Sequence, residues 1–351
     1  MKDTRLLLDD LPLPRRFEDE AALDDYLSTP SRALVADMQA IDGDVLVLGV
    51  GGKMGPTLAR LARNALPASR KVTAVARFSE PGVREQLAAH GVETIACDLM
   101  DREALEALPR HRNVVFMAGR KFGADGDPSL TWAMNAHVPA LVAESFRESR
   151  IVAFSTACVY PFAPVTGLGS GEGEVLSPPG EYANSCVGRE RMFEYFSQRH
   201  GTPGRLFRLS YAIDMRYGVL ADVAGKVLRG EPVDVTMGHV NVIWQGDANE
   251  QALRCLRAAT VPTSPLNVSG PQVLSIRWLA HEFARTFGKP VEVTGTEAPT
   301  AWLVDTTRAE QLFGYPRVTL RTMVEWVADW VERGQRTLGK PTKFENRDGK
   351  Y

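Results

Sequence analysis

The chain has 351 residues, and 41 lysines and arginines nearly balance 43 aspartates and glutamates, which leaves a formal charge of −2. This balance excludes the basic excess that is typical of nucleic-acid binders. The 44% of hydrophobic residues excludes a disordered acidic chain. We therefore expect a globular protein of one or two domains that binds no nucleic acid.

The cysteines and the N-terminus indicate where the protein works. The four cysteines are widely spaced and form no CxxC pair or His/Cys cluster, which predicts reduced thiols and no metal site. The apolar run near the N-terminus is broken by Asp9 and Asp10, so it predicts neither a signal peptide nor a membrane span. We expect a cytoplasmic protein that does not contact a membrane.

Residues 1–43 form a predicted N-terminal helical extension. The pattern over residues 18–27 predicts a first helix. Thr29 followed by Pro30 predicts the start of a second helix, with threonine as the N-cap and proline at the first helical position.

From residue 44 onward, short apolar runs alternate with amphipathic stretches. The runs predict strands at 45–48, 72–76, 94–96, 114–117 and 151–154, and the stretches predict helices at 56–64, 81–90 and 132–148. Continuous apolar strands separated by helices indicate a parallel sheet that is covered on both faces. The predicted fold class is α/β, with a Rossmann-like doubly wound sheet over residues 44–212.

The alternation loosens after residue 212. We expect a smaller C-terminal α/β region over residues 213–333, interleaved with the first and closed by a helix over 320–333. A polar tail, residues 334–351, follows and carries no recognisable motif.

A glycine-rich turn lies between the first predicted strand and helix. Gly49, Gly52 and Gly55 have the GxxGxxG spacing, and Lys53 and Met54 lie in the same turn. Glycines allow the backbone to approach a pyrophosphate closely, and the following helix N-terminus attracts its negative charge. The position favours dinucleotide binding over a plain structural turn.

The end of the second strand bears on the choice of cofactor. An acid usually binds the adenosine ribose at this point, but Ala76 is followed here by Arg77. Arg77, together with Lys53, suits a ribose 2′-phosphate and favours NADP over NAD. The alternative is that both cations are solvated surface residues.

Further motifs follow in order. These are Asp98-Leu99, Met117-Ala118-Gly119, Asn135, a strand end with Thr156 and Tyr160, Tyr182 on a helix, and the segment 305–315. Over residues 44–332 the chain resembles the extended short-chain dehydrogenase/reductase superfamily, of the NAD-dependent epimerase/dehydratase type. The resemblance implies that Asp98 and Leu99 contact the adenine, that Met117, Ala118 and Gly119 lie beside the cofactor, and that Thr156 is the catalytic hydroxyl residue. It also implies a homodimer built on the helices that carry Asn135 and Tyr182.

The family motif YxxxK is altered in this chain. Tyr182 stands at the tyrosine position, but Cys186 replaces the lysine. In the family the lysine binds the nicotinamide ribose, and its charge lowers the tyrosine pKa, which is otherwise near 10. Without that charge we expect phenolate chemistry to be weakened.

Three explanations of the missing lysine remain open. A different cation could replace it, and Lys121 and Arg120 follow the fourth strand. Alternatively, Tyr182 acts only as a neutral proton donor beside Thr156, or Cys186 itself takes part in the chemistry. In the third explanation the protein binds cofactor without turnover. For Cys186, a small packed residue is favoured over a nucleophile because no histidine is near in sequence.

Two positions bear on the substrate. Members of the superfamily that act on nucleotide sugars carry an asparagine where this chain has Tyr211, and a phosphate-clamping arginine where it has Val240. A free sugar, sugar acid or lactone is therefore favoured as a small-molecule substrate. Arg120, Tyr211, His239 and Trp244 are candidate substrate contacts, with a surface histidine and a packed tryptophan as the alternative for the last two.

Together these features predict an NAD(P)-dependent oxidoreductase or epimerase that acts on a carbohydrate-like alcohol or carbonyl. Tyr182 would exchange the proton on the substrate oxygen and Thr156 would orient that oxygen. The alternative is a non-catalytic NADP-binding redox sensor.

Overall fold

The computed structural model describes residues 6–124 and 126–350. Its first half contains α1 (Glu20–Leu27), α2 (Arg32–Gln39), β1 (Val45–Leu48), α3 (Gly55–Ala65), β2 (Val72–Ala76), α4 (Val83–Ala89), β3 (Glu93–Ala96), α5 (Arg102–Glu106), β4 (Asn113–Phe116), α6 (Pro128–Trp132), α7 (Val138–Ser145) and β5 (Arg150–Thr156). A π turn, Ala133–His137, joins α6 to α7, and short 3₁₀ turns span Leu8–Asp10 and Ala157–Val159.

The second half contains β6 (Ala163–Pro164), α8 (Glu181–His200), β7 (Gly204–Leu209), β8 (Ala212–Ile213), α9 (Val219–Arg229), β9 (Val233–Asp234), β10 (His239–Val240), β11 (Ile243–Trp244), α10 (Gln245–Arg254), β12 (Ser264–Val268), β13 (Leu274–Ser275), α11 (Ile276–Phe287), β14 (Val293–Thr294), β15 (Thr300–Ala301), α12 (Thr307–Phe313) and α13 (Leu320–Glu332).

Seven parallel strands form the central sheet in the order β3-β2-β1-β4-β5-β7-β12. The order reverses between β1 and β4, where the chain turns from one half of the sheet to the other. Ligands of such sheets bind at the carboxyl ends of the strands beside this switch point. The predicted α/β doubly wound sheet is confirmed.

Apolar side chains cover both faces of the sheet. One face packs on α2, α3 and α10, and the other packs on α5, α7 and α8. The helix predicted over 132–148 corresponds to a helical run from Pro128 to Ser145, which begins four residues earlier and ends three residues earlier and includes the π turn around Asn135. Such π turns are frequent at functional sites.

The predicted start of α2 is wrong by two residues. The Ser31 hydroxyl accepts a hydrogen bond from the Leu34 N–H at 3.0 Å, so Ser31 is the N-cap and Pro30 precedes the helix. The Thr29 hydroxyl instead donates to the Asp25 carbonyl at 2.8 Å and closes α1. Both residues can bond locally, and the sequence does not show which of them does so.

The N-terminal extension and the C-terminal tail both pack against the C-terminal region. A third apolar core, built mainly from α9, α11 and α13, also takes in Phe17 and Leu23 from the extension and Phe344 from the tail. The Trp326 indole N–H donates to the Pro14 carbonyl at 2.8 Å. The tail therefore contributes a buried side chain to this core.

All four cysteines are buried, and none of them forms a disulfide bond. Within residues 6–124 and 126–350, no helix is both long and apolar enough to cross a membrane.

We predict that Phe344→Ala lowers the free energy of unfolding by about 3–5 kcal/mol, because it empties a core position that is 1% exposed. Urea unfolding followed by tryptophan fluorescence measures the change. Tyr315→Ala, at a side chain that is 77% exposed, is the control and should change stability by less than about 0.5 kcal/mol. Equal effects of the two variants would show that the tail is not part of the folded core.

Candidate functional site

The glycine turn has the close backbone packing that a dinucleotide site requires. Gly49 has a φ of +87°, and a Cβ there would lie 2.5 Å from the Ala118 backbone nitrogen. A Cβ on Gly55 would collide with the Val50 carbonyl, while Gly52 is exposed at the top of the turn. Since α3 begins at Gly55, its N-terminus faces the turn. Side chains are excluded at the two positions where the backbone is most crowded.

The other predicted cofactor residues lie at the same edge of the sheet. Arg77 follows β2 and is exposed, with no hydrogen bond or ion pair to any described residue. Asp98 follows β3, and its carboxylate accepts from the Met100 N–H at 3.0 Å, while Leu99 is buried. Met117, half-buried, and the buried Ala118 follow β4. The structure brings these residues together at the ends of β1 to β4.

Lys53 extends from the glycine turn to the C-terminal region. Its Nζ lies 3.0 Å from the centroid of the Tyr217 ring and 4.9 Å from that of Phe122. Burial, together with the ammonium groups of Lys121 and Lys340, lowers the pKa of Lys53 to about 7. The sequence analysis did not find Tyr217, because its contact with Lys53 spans 164 positions along the chain.

A buried ion pair fixes α8, the helix that carries Tyr182, on the sheet. Arg208 on β7 donates to the Glu190 carboxylate through Nε at 2.9 Å and Nη2 at 2.6 Å. The Ser155 hydroxyl donates to the same carboxylate at 2.5 Å, and Arg208 Nη1 donates to the Tyr160 hydroxyl at 2.5 Å. Charge-assisted hydrogen bonds of this kind therefore join α8 to β5 and β7.

Tyr182 is half-buried and packs against the cluster that contains Cys158. Its hydroxyl donates to the thiol of Cys186, one helical turn later. Burial raises the pKa of Tyr182 well above its ordinary value, and Cys186 and Cys158 raise it further. Burial also raises the pKa of the Cys186 thiol. Tyr182 is therefore a protonated phenol at neutral pH.

Of the two predicted replacement cations, the structure brings Lys121 close to Tyr182. The Lys121 ammonium lies 5.8 Å from the Tyr182 ring centroid and donates to the Thr342 carbonyl at 3.5 Å. Burial lowers the pKa of Lys121. The Arg120 guanidinium instead donates to the Gly123 carbonyl at 3.1 Å, on the loop that follows β4.

Arg189 is a buried cation of the site that the sequence analysis missed. Its guanidinium donates to the Phe154 carbonyl and to the Asn135 side-chain oxygen, both at 2.7 Å. It is 6% exposed, its Nε has no hydrogen-bond partner, and no carboxylate of the described residues pairs with it. Its charge lowers the pKa of both Tyr182 and Cys186. A signal was available, since Arg189 is seven residues after Tyr182 on the same helix and so lies on the same face.

Asn135 links these groups through hydrogen bonds. Its amide nitrogen donates to the Ser185 hydroxyl at 2.9 Å, and that hydroxyl donates to the Tyr182 carbonyl at 2.7 Å. A Cβ on Gly119 would collide with the Arg189 guanidinium, so the end of β4 leaves room for this cation. The Thr156 hydroxyl, at the end of β5, accepts from the Cys158 N–H at 3.2 Å.

The candidate substrate residues are divided between two places. Tyr211 has a φ of +37°, a conformation that a bulky residue rarely adopts. Burial raises the pKa of Tyr211, and the nearby Cys158 and Tyr217 raise it further. Since Cys158 packs with Tyr182 and Tyr217 contacts Lys53, Tyr211 lies beside the cleft. His239 lies on β10 beside Glu297. Trp244 is 2% exposed and packs on Trp326 in the core, so the structure does not bring it to the cleft.

No group of three or more His, Cys, Asp or Glu residues suited to hold a metal ion occurs in the described part of the chain.

Many solved structures match this fold, and several of them are UDP-sugar epimerases. UDP-glucose 4-epimerase from Thermotoga maritima, solved with UDP-glucose, matches with 18% identity and a TM-score of 0.67 over 83% of this chain and 99% of that one. UDP-glucose 4-epimerase from Thermus thermophilus in complex with NAD matches with 22% identity and a TM-score of 0.67, over 82% of this chain and 98% of that one. UDP-glucuronic acid 4-epimerase from Bacillus cereus in complex with NAD matches with 17% identity and a TM-score of 0.68, over 83% of this chain and 99% of that one. The chain has the fold of these epimerases.

No protein-family model and no curated protein matches the sequence. The likeness is therefore one of fold.

Proposed function

We propose that this protein is an NADP-dependent oxidoreductase or epimerase that acts on a carbohydrate-like alcohol or carbonyl, with Tyr182 exchanging the proton on the substrate oxygen. The observation that carries the proposal is that the half-buried Tyr182 lies close to the cations Arg189 and Lys121. They lie at the carboxyl edge of a sheet whose first turn has room for a dinucleotide backbone. A purely structural site has no need of both features.

The crowded glycine turn fits the dinucleotide that the fold implies. Gly49, Gly52 and Gly55, with Met54, would hold the pyrophosphate, Asp98 and Leu99 the adenine, and the segment 117–119 the nicotinamide side. The ammonium of Lys53 extends instead to the rings of Tyr217 and Phe122, so we do not assign it to the cofactor. Arg77 would pair with a ribose 2′-phosphate, since it is exposed and has no described partner. When bound, the nicotinamide supplies or accepts hydride.

Proton transfer follows from the state of Tyr182. As a neutral phenol, it is ready to donate a proton to a carbonyl oxygen that is being reduced, and Thr156 would orient that oxygen. In the oxidation direction the same group must first lose its proton, and two nearby cations would stabilise the phenolate. The site is therefore better prepared for carbonyl reduction than for alcohol oxidation at neutral pH.

We assign the charge of the missing lysine chiefly to Arg189. Cys186 is too short to reach a ribose hydroxyl as lysine does, and it packs as a neutral thiol. Arg189 lies one turn further along α8 and acts on Tyr182 through space as a positioning residue. Its buried charge has hydrogen-bond acceptors but no described carboxylate, so it is not neutralised locally.

The substrate is proposed to lack a nucleotide. Tyr211 and Val240 stand where nucleotide-sugar enzymes carry polar groups, and Val240 is 1% exposed, so it offers no contact to a phosphate. We also propose a homodimer, in which the exposed Trp132 and Tyr195 on α6 and α8 lie in the interface.

We predict that Tyr182→Phe lowers turnover by about 10²–10⁴-fold, because it removes the exchanged proton, while nicotinamide binding measured by fluorescence stays unchanged. At saturating cofactor and substrate, carbonyl reduction should be independent of pH from about 6 to 9, and alcohol oxidation should rise with pH, because the Tyr182 pKa is above its ordinary value of about 10. Sugars, sugar acids and lactones form the substrate panel, with UDP-sugars as its second arm. Cofactor binding without turnover on either arm would favour the redox sensor.

We predict that Arg77→Ala weakens NADP binding about tenfold or more and leaves NAD binding unchanged, because only NADP carries the 2′-phosphate that Arg77 would pair with. Titration calorimetry with the two cofactors gives the comparison. The control is Arg84→Ala, which removes an exposed neighbouring arginine that contacts Thr94. An equal loss of affinity for NADP and for NAD would show that Arg77 does not bind the 2′-phosphate.

A further inference from the structure

Three lysines around the cleft have no ion pair or hydrogen bond through their side chains with any described residue. Lys53 comes from the glycine turn, and Lys340 and Lys343 come from the C-terminal tail. Lys53 is half-buried and contacts only aromatic rings through its ammonium. Asp222 and Asp214 lie near these ammonium groups, but Asp222 already accepts from Thr342 and Asp214 already pairs with Arg216. The ammonium groups therefore repel one another with little compensation unless an anion joins them.

The tail is held firmly enough to position its two lysines. Thr342, between them, donates its N–H and its hydroxyl to the Asp222 carboxylate at 2.8 and 2.6 Å. Phe344 is buried in the core, and Arg347 donates to the Thr300 carbonyl at 2.7 Å. Lys343 itself has a φ of +55°, a strained conformation for a non-glycine residue. The anchors on both sides impose this conformation.

The two tail lysines lie between the catalytic cleft and an open cavity. On the cleft side, Lys340 lowers the pKa of Lys53 and Lys343 lowers that of Lys121, whose ammonium donates to the Thr342 carbonyl. On the other side, both line a cavity of about 580 Å³, whose lining also includes the cations Arg216, Lys226 and Arg229 and the carboxylates Asp222 and Glu345. Lys226 is paired with Glu345. That volume is within the range of small-molecule sites.

We propose that Lys53, Lys121, Lys340 and Lys343 form an anion subsite of the active site, which binds a phosphate group carried by the sugar-like substrate. This rests on the function proposed above and names the substrate class as a phosphorylated sugar or polyol. The tail is then part of the active site.

The charges favour phosphate over carboxylate. The four lysines lie near Asp222 and Asp214, but Thr342 already bonds to Asp222 and Arg216 already pairs with Asp214, so the lysines outnumber the available carboxylates. A phosphate monoester carries nearly two negative charges and accepts hydrogen bonds from several directions, which suits point-charge donors such as lysine. A carboxylate carries a single charge and is better matched by the planar fork of arginine.

The test uses sulfate as a phosphate-like probe whose charge is constant with pH, titrated by calorimetry into the cofactor-saturated protein at fixed ionic strength. Lys340→Met and Lys343→Met should each weaken sulfate binding about tenfold, the effect of removing one charge-assisted hydrogen bond. Sulfate affinity should also fall as the pH rises from about 6 to 9, because Lys53, with a pKa of about 7, loses its charge. Lys350→Met is the matched control, since that tail lysine is exposed and pairs with Asp348.

Steady-state kinetics identifies the source of the phosphate. A phosphorylated sugar should show a KM at least tenfold below that of the same sugar without phosphate, and Lys343→Met should remove that difference. If instead sulfate binds but phosphorylation of the sugar leaves KM unchanged, the site takes a free anion and the substrate assignment is wrong.

The failure of the subsite and the failure of the proposed function give different results. If sulfate does not bind, or binds equally to all variants, the subsite is overturned, while Tyr182-dependent turnover on neutral sugars would still support the proposed function. Sulfate binding that depends on Lys343, with no turnover on any sugar, would instead contradict the proposed function.

Discussion

The ion pair of Glu190 and Arg208 is the interaction on which the site depends. Both side chains are almost fully buried, and the carboxylate also accepts from Ser155, so α8 is locked to β5 and β7. Removing one partner of such a pair leaves an uncompensated charge in the interior, which costs about 3–5 kcal/mol. Because Tyr182, Cys186 and Arg189 lie on the same helix, this anchor sets their positions relative to the ends of the strands.

On helix α8, the positive charge near Tyr182 comes from Arg189 and not from residue 186. The residue one turn after Tyr182 is the neutral Cys186, and the positive charge occurs at Arg189 instead, held by a backbone carbonyl and by Asn135. The change alters how the charge acts. A lysine at position 186 would contact the cofactor ribose, whereas Arg189 lies beneath the cleft beside Gly119 and acts through the electric field. In the proposed anion subsite, Lys53, Lys121 and the tail lysines add positive charge on the open side of the cleft, although the chain has a formal charge of −2.

Much of the architecture could be predicted because it follows from short-range patterns in the sequence. The strands Val45–Leu48 and Val72–Ala76 have the predicted bounds, since apolar β-branched runs between turns are recognisable locally. The glycine turn and the residues after β2, β3 and β4 meet at one edge because parallel strands end together. Contacts between residues that are far apart in the sequence were not predictable. Examples are the contact of Lys53 with Tyr217, the burial of Trp244, and the position of the tail lysines near the cleft. Arg189 is intermediate, since its helical spacing from Tyr182 was visible but its burial was not.

The most direct test of this account is the pH profile of turnover in Arg189→Met, in Arg189→Lys and in the double variant Cys186→Lys/Arg189→Met. We expect Arg189→Met to lower oxidation at least tenfold and to move its pH dependence upward by about one unit, because Tyr182 ionises less readily without the nearby charge. Arg189→Lys should retain most of the activity, and the lysine at position 186 should restore both rate and profile. An unchanged profile in folded Arg189→Met protein, or no rescue by the lysine, would contradict the claim that Arg189 has taken over the charge.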